Sequence, residues 1–145
     1  MRDPNPSEAV SSGPFGPVIH TYSRADAIAD GVLVPVPENL AKEAGFRFPV
    51  ALTSAAWADC VKWTDADGEA QRTPQDETGR LWDVLYMAVQ AFKKATGASR
   101  EVEVLLYRVP RDGSTSHAKP ARLKSVIGPG DDRSPVITIM RPDES

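Results

Sequence analysis

The sequence has almost no cysteine, since Cys60 is the only one among 145 residues. An intrachain disulfide and a metal site built from several cysteines are therefore excluded. This usage indicates a reducing compartment, and we expect a cytoplasmic protein. Cys60 and Val61 follow Trp57 by three and four residues, which places them on one helix face, and no histidine is nearby in the sequence. The thiol is therefore predicted to be a small buried apolar group rather than a nucleophile.

The sequence also lacks an excess of positive charge. It has 17 Lys and Arg against 20 Asp and Glu, a formal net charge of −3. Because backbone phosphates are bound through basic surfaces, we expect no direct contact with nucleic acid. No apolar run approaches the roughly 18 residues of a membrane span, and residues 1–17 lack a signal-peptide pattern, so no membrane segment is expected.

The overall composition and the length of the chain fit one globular domain. The hydrophobic share of 41% and charged share of 26% are ordinary for a soluble chain of this length. Residues 1–16 are rich in Pro, Ser and Gly, a composition that buries too little apolar surface to become ordered. We therefore predict a flexible N-terminal arm over residues 1–16 and a single α+β domain over residues 17–145.

The strongest helical pattern covers Gly79 to Ala95. Leu81, Leu85 and Ala88 recur at helical spacing within a wide apolar arc, and Thr78 is a suitable N-cap. Capping and breaking residues predict three shorter helices: one over Arg24 to Asp30, one over Pro37 to Gly45, and one that follows Thr53 and carries Trp57, Cys60 and Val61.

The last third of the chain alternates with a period of two, which is typical of strands. Three strands are predicted, over Glu101 to Val109, Arg122 to Ile127 and Pro135 to Met140. The first has apolar residues on both faces, which favours a central position. The connections are too short for crossover helices, so we predict a three-stranded antiparallel meander packed against two main helices. Strands predicted over Val18 to Tyr22 and Val32 to Val36 would extend it.

Thr64 to Thr78 is polar and acidic and is predicted to be a loop. From Asp59 to Asp83 the sequence has seven acids against three bases, which gives this side a negative field. Part of it, DADGE, resembles half of a calcium loop, but the other ligands are missing, so we expect a polar turn and no metal. A partner-binding role is predicted for five acids: Asp65, Asp67, Glu69, Asp76 and Glu77.

Three blocks of sequence carry a family resemblance: GFRFPVALT from Gly45, GRLWDVLYMA from Gly79 and GPGDDRSPVITIM from Gly128. Together they resemble an uncharacterised family of small bacterial proteins encoded on plasmids and other mobile elements. The resemblance implies a genetic setting rather than an activity or a cofactor. It also implies a partner, because small proteins of mobile elements often act on host machinery, including restriction and CRISPR defences. Pro74 departs from a histidine in the family pattern.

Two functional hypotheses follow. The first is a non-enzymatic module without a cofactor that binds a host or plasmid protein, such as a defence complex, through its acidic surface, with a homodimer left open. The second is a small enzyme that resembles ADP-ribosyltransferases. In that class a strand histidine grips the nicotinamide ribose and a glutamate stabilises the oxocarbenium-like centre. The residues in matching order are His20, Tyr22, Glu101 and Glu103.

Overall fold

The computed structural model describes residues 12–13, 16–17 and 21–145 and confirms the α+β class. The elements, in chain order, are β1 Ser12–Gly13, β2 Gly16–Pro17, α1 Arg24–Ala29, β3 Leu33–Pro35, α2 Glu38–Ala44, β4 Val50–Thr53, α3 Ser54–Cys60, α4 Asp65–Gln71, α5 Glu77–Lys94, β5 Glu101–Arg108, β6 Lys119–Pro129 and β7 Pro135–Met140.

Five strands form one mixed sheet in the order β3-β4-β7-β6-β5. The predicted meander is confirmed, because β6 pairs antiparallel with both β5 and β7. Strands β3 and β4 extend it, with β4 lying parallel to β7 so that Val50 faces Ile137 and Leu52 faces Ile139. The prediction that the strand after Arg100 is central was wrong, since β5 forms one edge of the sheet.

Helix α5 covers one face of the sheet and organises the core. Leu85 is fully buried in a cluster with Val104 of β5, Leu123 of β6 and Ile139 of β7. Helix α3 also packs against α5, as predicted. The N-cap of α5 is Asp76 and not Thr78, because the Asp76 carboxylate accepts from the Gly79 N–H at 2.7 Å. An ionised carboxylate also suits the positive end of a helix.

The predicted loop from Thr64 to Thr78 is largely helical, which corrects that prediction. Helix α4 begins with a capping box in which the Thr64 hydroxyl accepts from the Asp67 N–H and the Asp67 carboxylate accepts from the Thr64 N–H. These two bonds satisfy donors that a helix start leaves open. Arg72 ends the helix in a left-handed conformation, with φ of 53°.

The N-terminal predictions are only partly covered by the structure. Ser12–Gly13 pairs antiparallel with Gly16–Pro17. Most of the predicted arm, and residues 18–20 of the predicted strand over Val18 to Tyr22, lie outside the described residues. The arm and its boundary with the domain stay predictions.

Candidate functional site

The two edges of the sheet differ. Strand β3 has three residues and ends in Pro35, and both features discourage pairing with another strand. Strand β5 has eight residues, Glu101 to Arg108, and contains no proline. No strand among the described residues pairs with its outer side. The β5 edge is therefore the place where this sheet can accept a further strand.

The backbone groups on the open side of β5 can be assigned. The Ile127 N–H donates to the Arg100 C=O at 2.7 Å, so Arg100 directs its carbonyl toward β6. In an antiparallel pair the residues alternate between facing the partner strand and facing away. The N–H and C=O groups of four residues therefore point outward: Glu101, Glu103, Leu105 and Tyr107.

Large apolar side chains are exposed beside this edge. The exposed fraction is 54% for Leu105, 71% for Tyr107 and 48% for Tyr86. A groove of about 960 Å³ brings them together, lined by Asp83, Tyr86 and Met87 of α5 and by Leu105 and Tyr107 of β5. Clustered exposed aromatic and aliphatic groups are typical of protein interaction surfaces. The sequence signal was the apolar pair at Leu105 and Tyr107, but the central position predicted for this strand places that pair on a second buried face.

Three of the five predicted partner-binding acids have structural partners. Asp67 caps α4 and forms an ion pair with Arg111, with 2.6 Å between Oδ2 and Nε. The hydrogen bond from Arg111 is the largest cause that lowers the pKa of Asp67. Asp76 caps α5. The Glu77 carboxylate accepts from the backbone N–H of Trp63 at 3.1 Å. These acids hold the ends of α4 and α5 in place.

The other two predicted acids, Asp65 and Glu69, do not hold a helix end in place. Asp65 and Glu69 are exposed on α4 and make no hydrogen bond or ion pair within the described part of the chain. Helix α4 is fixed close to the end of β5, because the Gln71 side-chain amide donates to the Pro110 C=O at 2.9 Å. Asp83, a residue not among the five, is exposed and lines the groove. We call Asp65, Glu69 and Asp83 the acidic rim; Arg122 is the base that also lines the groove.

Of the residues of the transferase hypothesis, the structure describes Tyr22, Glu101 and Glu103, and Tyr22 does not line the groove that the two glutamates line. His20 lies outside the described residues. The Tyr22 hydroxyl donates to Asp30 at 2.9 Å, and this bond raises the pKa of Tyr22. Glu101 and Glu103 are exposed on β5 and line a groove between β5 and α5. Tyr22 is not among the residues that line this groove. The hypothesis stays a prediction.

Among the residues that the structure describes, there is no group of three or more His, Cys, Asp or Glu side chains able to hold a metal ion. Within the same ranges, no helix has both the length and the apolar character that crossing a membrane requires.

The described residues define a small α+β protein with a helix-covered mixed sheet, in which no described strand pairs with the outer side of the long edge strand β5. The chain belongs to a family of unknown function (DUF6573), which matches residues 15–145. This membership agrees with the resemblance to an uncharacterised family. No curated protein and no solved structure matches the chain.

Proposed function

We propose that this protein is a non-enzymatic binding module that accepts an extended segment of a partner protein at the open edge of β5. The observation that carries the proposal is the eight-residue edge strand with exposed Leu105 and Tyr107 beside Tyr86. A long edge strand with apolar side chains pairs readily with another chain unless something blocks it. The opposite edge, β3, is short and ends in proline.

Strand addition would supply both the affinity for the partner segment and the selectivity among possible segments. The outward N–H and C=O groups of β5 would bond the backbone of the incoming segment, and its alternate side chains would contact Leu105 and Tyr107. Asp65, Glu69 and Asp83 supply negative charge nearby, so the segment should carry Lys or Arg beside its apolar residues. Such complementarity chiefly raises the association rate and selects the partner.

The family resemblance supports a class of partner. A small protein of a plasmid or other mobile element gains from inhibiting host defences, so we propose a CRISPR or restriction complex as the host target. Basic surfaces that contact nucleic acid are common in such complexes, and an acidic rim would compete for them. The protein would then act as a counter-defence inhibitor.

The decisive experiment compares two substitutions at one position. Leu105→Pro removes an outward N–H without removing a bond to β6, whereas Leu105→Ser keeps that N–H and removes the apolar side chain. Tagged protein is incubated with lysate from a host that carries CRISPR and restriction systems, and captured proteins are identified by mass spectrometry. We expect Leu105→Pro to abolish capture and Leu105→Ser to weaken it. Capture that survives Leu105→Pro contradicts strand addition.

A second comparison tests the acidic rim. Asp65→Asn, Glu69→Gln and Asp83→Asn together should slow association with the captured partner and reduce its dependence on salt. The control neutralises three acids elsewhere on the surface: Glu38, Glu43 and Asp143. If both triple variants slow association equally, net charge rather than this rim is responsible. If the only chain captured is a second copy of this protein, the edge serves homodimerisation and the proposed host partner is wrong.

A further inference from the structure

A second concave site lies between α1, α2 and the β3 and β4 strands, at the end of the sheet remote from β5. Its volume is about 330 Å³, and its walls include Ile28, Val36, Phe46 and Val50. Pockets for small molecules are concave and mostly apolar and begin at roughly this size, about 300 Å³. The cavity is therefore suited to a small apolar molecule rather than to a folded partner.

The charged groups around this cavity are mainly positive, although the whole chain has a net charge of −3. Arg24, Lys42 and Arg47 line it, and Glu38 is the acid among the lining residues. Glu38 pairs with Lys42 at 3.0 Å. The cavity thus presents two guanidinium groups that form no ion pair with a carboxylate of the described chain.

Arg24 is the more constrained of the two. Its side chain is half-buried, and its Nη1 and Nη2 donate to the Thr138 hydroxyl and the Ile137 C=O, at 2.7 and 2.8 Å. Both acceptors are neutral. The Asp131 carboxylate instead accepts from the backbone N–H groups of Arg24 and Ala25, at 2.8 and 3.0 Å. Asp131 therefore holds the start of α1, and its charge only partly offsets the burial that lowers the pKa of the Arg24 guanidinium.

A partly desolvated cation is costly unless an anion accompanies it. Carboxylate and phosphate both match a guanidinium through two parallel hydrogen bonds, and the apolar walls of the cavity favour a carboxylate that carries an alkyl chain. We propose that this cavity binds a small aliphatic carboxylate, with its carboxylate at Arg24 and Arg47 and its chain against Phe46, Val36 and Ile28. This site is separate from the β5 edge and does not depend on the proposed partner binding.

The test uses octanoate as the probe and amide chemical shifts of the full-length protein as the readout. Octanoate should shift amides of α1, α2 and residues 46–51 in a saturable way. Octanol offers the chain without the charge, and acetate offers the charge without the chain. Each should bind at least about tenfold more weakly, because a charge-assisted hydrogen bond and a buried alkyl chain each contribute that much. Equal binding of octanol, or no saturable shift with octanoate, overturns the proposal.

Variants separate the cavity from general surface charge. Arg47 is exposed, so Arg47→Gln should fold normally and weaken octanoate binding several-fold, with octanol binding unchanged. Arg24→Gln should weaken it about tenfold, a loss typical of a charge-assisted hydrogen bond. The control Arg122→Gln removes an exposed arginine on β6 and should leave octanoate binding unchanged. If Arg47→Gln and Arg122→Gln behave alike, the carboxylate is not held at this cavity.

Discussion

The guanidinium carbon of Arg80 lies 4.8 Å from the centre of the Trp63 ring, which places a buried cation against an aromatic face. Only 5% of Arg80 is exposed. Its side chain donates to the Val61 C=O and the Val109 C=O, both at 2.9 Å, and to the Gln75 side chain. One side chain therefore joins the end of α3, the segment before α5 and the end of β5.

Arg80→Ala should lower the free energy of unfolding by about 3 kcal/mol, because buried carbonyls would lose their donors. Arg80→Lys should also destabilise the protein clearly, since an ammonium cannot reproduce the planar fork or stack on Trp63 in the same way. Urea denaturation followed by fluorescence measures both. The exposed Arg100→Ala is the control and should change little; full stability of Arg80→Lys contradicts the assigned role.

Leu85→Ala should lower the free energy of unfolding by about 2 to 5 kcal/mol, the usual range for truncating a core leucine. Leu85 is 0% exposed and lies in the centre of the core cluster. The neighbouring Tyr86→Ala is a matched control, because Tyr86 is largely outside the core. It should cost little stability and weaken partner capture, and chemical denaturation of both variants in parallel separates the two roles.

Sequence periodicity predicts α5 and the meander, but it does not show which strands lie side by side in the sheet. The apolar arc around Leu85 and the alternation after Arg100 are local signals, so α5 and the meander were predicted correctly. The parallel pairing of Val50 with Ile137 joins strands far apart in the chain, and local patterns do not encode it. The edge position of β5 depends on that pairing order, so Leu105 was assigned to a buried face.

Some residues around the candidate site carry a local sequence signal and others do not. A threonine followed three residues later by an acid is a capping signal, and the pair Thr64 and Asp67 carries it. The concentration of acids there predicts a loop, and the structure shows that the capping signal prevails. Arg80 gave no comparable signal, because an arginine in the first turns of a helix is ordinarily solvated. Its burial results from carbonyls supplied by α3 and β5.

Cys60 should react with thiol reagents only after unfolding. Burial is the main cause that raises its pKa from 9.0 to about 12, so the native thiol stays protonated and covered. Ellman's reagent at about pH 8 should label the unfolded protein far faster than the native one, since the thiolate is the reactive form. Equal rates would contradict the buried position.

The same shift predicts how stability depends on pH. The unfolded thiol ionises near pH 9.0, whereas the folded thiol stays protonated until about pH 12. The stabilising contribution is therefore complete below pH 9.0 and is lost as the pH rises toward 12. Cys60→Ala removes this contribution, so the difference in unfolding free energy between wild type and variant should shrink across that interval.

Asp67→Asn and Asp65→Asn should separate acids that hold the fold from acids that are free to bind a partner. Asp67 accepts from the Thr64 N–H and pairs with Arg111, whereas Asp65 has no described partner. Asp67→Asn should therefore increase amide exchange in α4, while Asp65→Asn leaves it unchanged. Hydrogen bonds lower the pKa of Asp67 below its ordinary value of 3.8, so the native carboxylate is still ionised at pH 3.8. Wild-type α4 should therefore lose this protection only as the pH falls from 3.8 through the lowered pKa. Hydrogen exchange over a pH series measures both effects. Equal exchange in the two variants at neutral pH would show that the ion pair and cap contribute nothing to α4, and the two acids would then have to be treated as one solvated surface.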